Sequence, residues 1–266
     1  MTYDKAKLIL RQCRFFYITG FILLLGMKLF YSQADSHDLE WILAPTARWV
    51  QILTGIPFEK NEQLGYISHS IRFIIAPSCS GVQFMLVVYA TCLYSFIHLL
   101  NTRRLKLLWM GLCLIFSYLF TIFVNGIRIT LAIYIPDWLN AVCSSDIYQG
   151  WLTPESLHTG IGTIVYFVSI FVAYRLAQFA LHLLELSKPY IQTGNKYTFP
   201  AFWYFFIVLG IPLLNRIRTG NLTGYGAYAL FIICICLPIL LFLRLSDYCF
   251  TNLSIHRKTH MDNTHQ

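Results

Sequence analysis

LLWMGLCLIFSYLFTIFVNGIRITLAIYI, residues 107–135, runs for 29 positions with one charged side chain, Arg128. A helix needs about 20 apolar residues to cross a bilayer's hydrocarbon core. This stretch exceeds that length, so it crosses and also protrudes. Five further runs have spanning character, at about 15–31, 79–100, 159–181, 199–215 and 225–243. The run at 199–215 is short and carries Pro212. The reading is an all-α, polytopic transmembrane helical bundle of about six spans.

Composition agrees. Hydrophobic residues are 57% of the chain and charged residues 12%, and the mean hydropathy is +0.58. A soluble domain carries about 25% charged residues, so a large soluble core is excluded. The net charge of +8 does not indicate nucleic acid, because its basic residues cluster at span ends and form no separate stripe. The eight cysteines are scattered singly without Cys-x-x-Cys or Cys/His ligand spacing, so neither a zinc site nor another metal is implied. Lys5, Lys7, Arg11 and Arg14 precede the first run as a signal peptide's basic region would. Lys28, Phe30 and Tyr31 stand where a small-residue cleavage site would follow, so the run reads as a retained span.

Positive charge orients the bundle. With the N-terminus cytoplasmic, Arg103, Arg104 and Lys106 fall inside, as do Lys188, Lys196, Arg244, Arg257 and Lys258. The loop at about 136–157 then lies outside with Asp137, Asp146 and Glu155 and no Lys or Arg. That asymmetry is the one that sets membrane topology. Arg216 and Arg218 fall outside and run against it. The segment at about 32–78 is also external, and Trp41–Leu53 has the spacing of a helix lying along the outer interface. Three parts follow: a first span with its external segment (1–78), a transmembrane core (79–181), and a C-terminal transmembrane hairpin with a cytoplasmic tail (182–266).

Helical rise then places three reactive side chains at one depth. Arg128 is 22 residues beyond Lys106, and Cys79 is 22 residues before Asn101. At 1.5 Å per residue each is about 33 Å from the inner side. His158 is 24 residues before His182, about 36 Å by the same rise. All three therefore reach the outer ends of three consecutive spans.

The surroundings of each suggest chemistry and leave a plainer alternative. Ala76-Pro77-Ser78-Cys79-Ser80-Gly81 reads as a helix start. A cysteine in a first helical turn is disposed to the nucleophilic thiolate, and Gly81 allows close approach. Alternatively Cys79 is a small buried packing residue, or the partner of Cys143 in an external disulfide. Arg128, in Asn125-Gly126-Ile127-Arg128, presents a fork of donors to an oxyanion; alternatively it anchors to lipid headgroups. Thr153-Pro154 reads as a cap and first residue of a helix. That puts His158 near its first turn, with Glu155 placed to orient the imidazole. Alternatively His158 is a solvated interfacial side chain. Together a cysteine, a histidine and an oxyanion donor are the parts of thiol acyl transfer.

At these residues the chain resembles the exosortase/archaeosortase family of membrane-embedded cysteine transpeptidases. Cys79-Ser80-Gly81, Asn125-x-x-Arg128 and His158 with Gly162 occur in the family's order over about 76–165. Six spans suggest a small member, similar to exosortase K. The resemblance implies Cys79 as nucleophile, Arg128 as transition-state stabiliser and His158 as general acid/base, with Ser80, Asn125 and Glu155 in support. It implies cleavage of C-terminal sorting signals (a short motif, a transmembrane helix and a basic tail) on exported proteins. The cut would fall at the outer face of a bacterial cytoplasmic membrane, facing the periplasm or exterior, with transfer to a surface glycan or lipid acceptor. No cofactor is implied.

The rival from another class is a non-enzymatic transporter subunit or assembly scaffold, which would tolerate Cys79→Ala. An intramembrane serine protease using Ser80 would want glycine where Ser78 stands, and a CAAX-type protease would need paired glutamates that the chain lacks.

Overall fold

The computed structural model describes residues 3–142, 153–183, 196–220 and 222–263. Six of its helical stretches are long and apolar enough to cross a membrane: Arg11–Gln33, Pro77–Leu99, Arg103–Leu139, Ser156–Leu183, Thr198–Thr219 and Tyr225–Asp247. Each contains or closely overlaps one of the expected runs. Among the helices, α1 is Tyr3–Gln33, α2 Glu40–Thr54, α3 Val82–Phe96, α4 Arg103–Val142, α5 Pro154–Leu183, α6 Thr198–Phe205, α7 Ile211–Thr219 and α8 Tyr225–Asn263. The 40 residues of α4 give about 60 Å of helix, twice the hydrocarbon thickness, so it protrudes as its length required.

The central pole of the bundle is α3. Its span is 78% buried, against 11% for that of α8, which fits a helix that is apolar on every side. Phe84, Val87, Leu93 and Phe96 of α3 pack with Trp109 and Cys113 of α4, Phe167 and Phe171 of α5 and Tyr204 of α6. Lys106, expected in the inner loop, is instead buried in α4. Its Nζ donates to Cys13 Sγ at 3.1 Å and lies over the Phe16 ring, tying α1 to α4.

Between α1 and α3 the expected helix is present as α2, and it packs closely against α4. Trp49 Nε1 donates to the Phe123 carbonyl at 3.2 Å, and Tyr118 Oη to that of Trp41 at 2.8 Å. After α2 comes an antiparallel sheet absent from the expectation: β1 (Glu59–Asn61), β2 (Gly65–Ser68) and β3 (Phe73–Ile75), in the order β1-β2-β3. Its register pairs Lys60 with Tyr66 and Tyr66 with Ile75. Strands of three or four residues are too short for alternation to stand out in sequence. Lys60 Nζ bonds Glu40 Oε1 at 2.7 Å and holds that carboxyl below the usual carboxylate range. Both groups are exposed, so the pair guides the sheet onto α2 more than it stabilises it.

The short fifth run is a composite. A π turn, Phe206–Gly210, joins α6 to α7, with Pro212 in the first turn of α7. Proline has no N–H to give the carbonyl four residues earlier. That carbonyl, on Val208, accepts from Tyr228 Oη at 3.4 Å, and the neighbouring Leu209 carbonyl accepts from Tyr225 Oη at 3.0 Å. Tyr228 of α8 thus satisfies a carbonyl that lipid would leave unpaired, and Tyr225 adds a second tie one residue on.

Candidate active site

The sheet delivers the candidate nucleophile. Ile75, the last residue of β3, is buried, and Pro77–Cys79 follow at once as a 3-10 turn. Cys79 therefore does not sit in the first turn of α3, as expected, but ahead of it. Gly81 intervenes with φ of 79°, a left-handed conformation that favours glycine, and α3 starts at Val82. A Cβ on Gly81 would lie 3.0 Å from Asn125 Cγ and 3.0 Å from Thr121 Cγ2. The left-handed turn thus brings the Cys79 backbone against α4. Cys79 is a free thiol with 9% exposure. Cys143, its alternative disulfide partner, lies outside the described residues.

Three consecutive spans meet at this turn. Cys79 Sγ is 3.8 Å from His158 Nε2, and Arg128 Nη2 is 2.5 Å from the same nitrogen. Asn125 Nδ2 donates to the Cys79 carbonyl at 2.7 Å. Its Oδ1 accepts from Tyr166 Oη at 2.7 Å and from Arg128 Nη1 at 3.4 Å. One carboxamide therefore ties the cysteine turn to α4 and α5. The cap of α5 is the expected one: Thr153 Oγ1 accepts from the Ser156 N–H at 3.1 Å, and His158 follows in the next turn.

Arg128 is 7% exposed, whereas a headgroup anchor would carry its guanidinium at the surface. The guanidinium lies 5.6 Å from the centre of the Tyr166 ring and passes directly over Gly162. A Cβ on Gly162 would sit 3.0 Å from Arg128 Nε. That Nε has no acceptor among the described residues. Cation, imidazole and thiol are thus packed together with one guanidinium N–H still available.

Of the supporting residues, Asn125 is central and Ser80 is fully buried beside them. Glu155 lies in α5, but its side chain is outside the described residues. Tyr166 went unnoticed in the sequence, although a signal for it was present. His158, Gly162 and Tyr166 stand at four-residue intervals, one stripe of one helix. Phe84 of α3 stacks on the Tyr166 ring at 4.4 Å between centroids.

A cavity of about 200 Å³ opens beside this cluster. Arg128, His158 and Tyr166 line it, and so do Tyr204, Val208 and Tyr228 from the last two spans. Among the described residues, no three His, Cys, Asp or Glu side chains gather as they would around a metal ion.

A family model described as transmembrane exosortase matches residues 6–175, a stretch that holds Cys79, Asn125, Arg128, His158 and Tyr166. No curated protein and no solved structure matches the chain.

Proposed function

The chain belongs to the transmembrane exosortase family, and from that premise we propose that it is a cysteine transpeptidase that processes C-terminal sorting signals of exported proteins. Its substrates present a short motif, a transmembrane helix and a basic tail. The cut is made at the outer face of the bacterial cytoplasmic membrane, and the new C-terminus passes to a surface glycan or lipid acceptor. The observation that carries this reading is the contact of Cys79, His158 and Arg128 at matching ends of three spans, beside a cavity.

The chemistry follows from one crowded nitrogen. His158 Nε2, as the lone-pair nitrogen of a neutral imidazole, faces both the Cys79 thiol and an Arg128 N–H. As the thiol attacks the scissile carbonyl, its proton moves to Nε2 and a carbon–sulfur bond forms. A protonated Nε2 can no longer accept from Arg128. The guanidinium, with its unpaired Nε–H, is then released to the oxyanion. Collapse breaks the carbon–nitrogen bond, and the leaving amine takes the proton from Nε2. An acceptor hydroxyl or amine then gives its proton to Nε2 and attacks the thioester; the carbon–sulfur bond breaks, and the departing sulfur takes that proton back from Nε2. A substrate helix diffusing in the bilayer brings its scissile bond to this depth without leaving the membrane.

The test is a comparison of surface-protein C-termini by mass spectrometry in cells with the wild-type chain, with Cys79→Ala, and without the gene. Shortened or acceptor-linked C-termini should appear only with the wild type. Identical C-termini in all three would refute processing and favour the scaffold reading.

A further inference from the structure

A second cavity, of about 720 Å³, lies on the other side of α3 and is walled by α1, α3 and the α6–α7 composite. Its lining runs on α1 from Tyr17 to Lys28 and on the composite from Trp203 to Leu214. Either wall is about 16 Å long at 1.5 Å per residue. The rim residues Phe21, Leu25, Phe206 and Leu214 are exposed, so the groove opens sideways to lipid.

Its two ends differ. At the inner end Tyr17 of α1 stacks on Tyr94 of α3 at 5.7 Å, and Tyr94 stacks on Trp203 of α6 at 4.7 Å. This continuous pile of rings joins all three walls, and Tyr94 Oη also donates to the Tyr17 carbonyl at 3.2 Å. The groove therefore ends blindly, about 9 Å inside the inner end of the α1 span. At the other end stands Lys28, the one cation of the lining among the described residues. Its ammonium makes no ion pair among the described residues and lies 5.3 Å from the centre of the Tyr31 ring, one turn nearer the end where the active site sits. A lysine without an ion pair at the outer end of an apolar groove is placed to meet an anionic headgroup.

We propose that this groove holds one acyl chain of an anionic phospholipid, with the phosphate on Lys28. The blind floor requires an occupant that extends from the Lys28 end and stops within the bilayer. An acyl chain does so. A partner's transmembrane helix has to continue through the opposite leaflet, past the ring pile. The lysine stem lines the apolar wall while its ammonium reaches the interface, which is where a lipid phosphate lies. Tyr31 also lines the active-site cavity, so the headgroup stands at that cavity's rim. None of this depends on the transpeptidase reading.

The test uses the full chain carrying Cys79→Ala, so that lipid occupancy is read apart from any reaction. The protein is taken from vesicles of equal phosphatidylglycerol and phosphatidylcholine into native mass spectrometry. Quenching of tryptophan fluorescence by dibrominated forms of each lipid is measured alongside, the Trp203 share taken as the difference from Trp203→Phe. Wild-type groove residues should retain one phosphatidylglycerol with a preference of about fivefold, the share of one lysine near the surface. Lys28→Gln should equalise the two lipids. Gly210 lines the groove with open space around it, so Gly210→Leu should obstruct the groove part-way along and lower retention of both lipids. Equal retention of the two lipids by the unaltered groove would overturn the proposal, as would retention unchanged by Gly210→Leu. A photocrosslinker at Leu25 that captured a polypeptide rather than lipid would assign the groove to a helix and overturn it equally.

Discussion

Arg128→Lys asks whether the buried guanidinium is needed for its shape or only for its charge. Arginine makes two separate hydrogen bonds here, Nη2 to His158 at 2.5 Å and Nη1 to Asn125 at 3.4 Å, and holds Nε free over Gly162. Lysine has one nitrogen at the end of its stem, so it can serve one of these directions. Losing a donor that meets an oxyanion costs about 2.7–4 kcal/mol, a rate loss of about 100- to 1000-fold. The fold should survive. Asn125 Oδ1 keeps its bond from Tyr166, and Asn125 Nδ2 keeps the Cys79 carbonyl. The bond from Nη1 to Asn125 is the longer and weaker of the pair, so membrane levels should stay near normal without it. The assay is the ratio of mature to precursor substrate in cells, with Cys79→Ala as the zero. Arg216→Lys is the control for charge, since Arg216 lies outside the site and donates to the Thr223 carbonyl between α7 and α8. Near-normal processing by Arg128→Lys would mean that charge alone suffices, and the oxyanion role would fall.

Three further outcomes are expected. Tyr166→Phe removes one hydrogen bond from Asn125, worth about 0.5–1.5 kcal/mol, so processing should fall by about three- to tenfold at unchanged protein level. An unchanged rate would leave Tyr166 a packing residue only. Because Cys79 is 9% exposed, a small methanethiosulfonate added from outside should modify it well before a bulky maleimide does; equal rates for the two would mean the thiol stands open to the aqueous side. Reporter fusions after Arg104 and Lys188 should read cytoplasmic and those at Glu62 and Ser145 external. A cytoplasmic signal at Glu62 would put the cluster on the inner face and break the proposed route for exported substrates.

The sequence made the bundle legible because lipid imposes a coarse rule: about 20 apolar residues per crossing, with basic residues gathered at one side. The same rule allowed depth to be counted along 79–101, 106–128 and 158–182, and the three residues at equal depth do meet in space. Lateral position follows no such rule. It depends on bonds such as that from Asn125 to the Cys79 carbonyl, which link residues 46 positions apart. The 3-10 turn was hidden because Pro77 suits the start of either helix type. The sheet was hidden by the shortness of its strands, and the burial of Lys106 by the absence of any nearby carboxylate to suggest a partner. Pro212 did announce an irregularity, but not that tyrosines from α8 would answer it.

The wall of the active-site cavity is drawn from two different stretches of chain. Arg128, His158 and Tyr166 lie within the residues that match the family, whereas Tyr204, Val208 and Tyr228 lie beyond residue 175. The candidate reactive groups and the opposite wall of the cavity thus come from separate stretches of chain. On the proposed function, substitutions in the last two spans should reshape what the cavity admits without moving Cys79, Arg128 or His158. A hybrid carrying a foreign hairpin over residues 198–247 should keep its chemistry and change its clientele, provided Tyr225 and Tyr228 still reach the carbonyls of Leu209 and Val208.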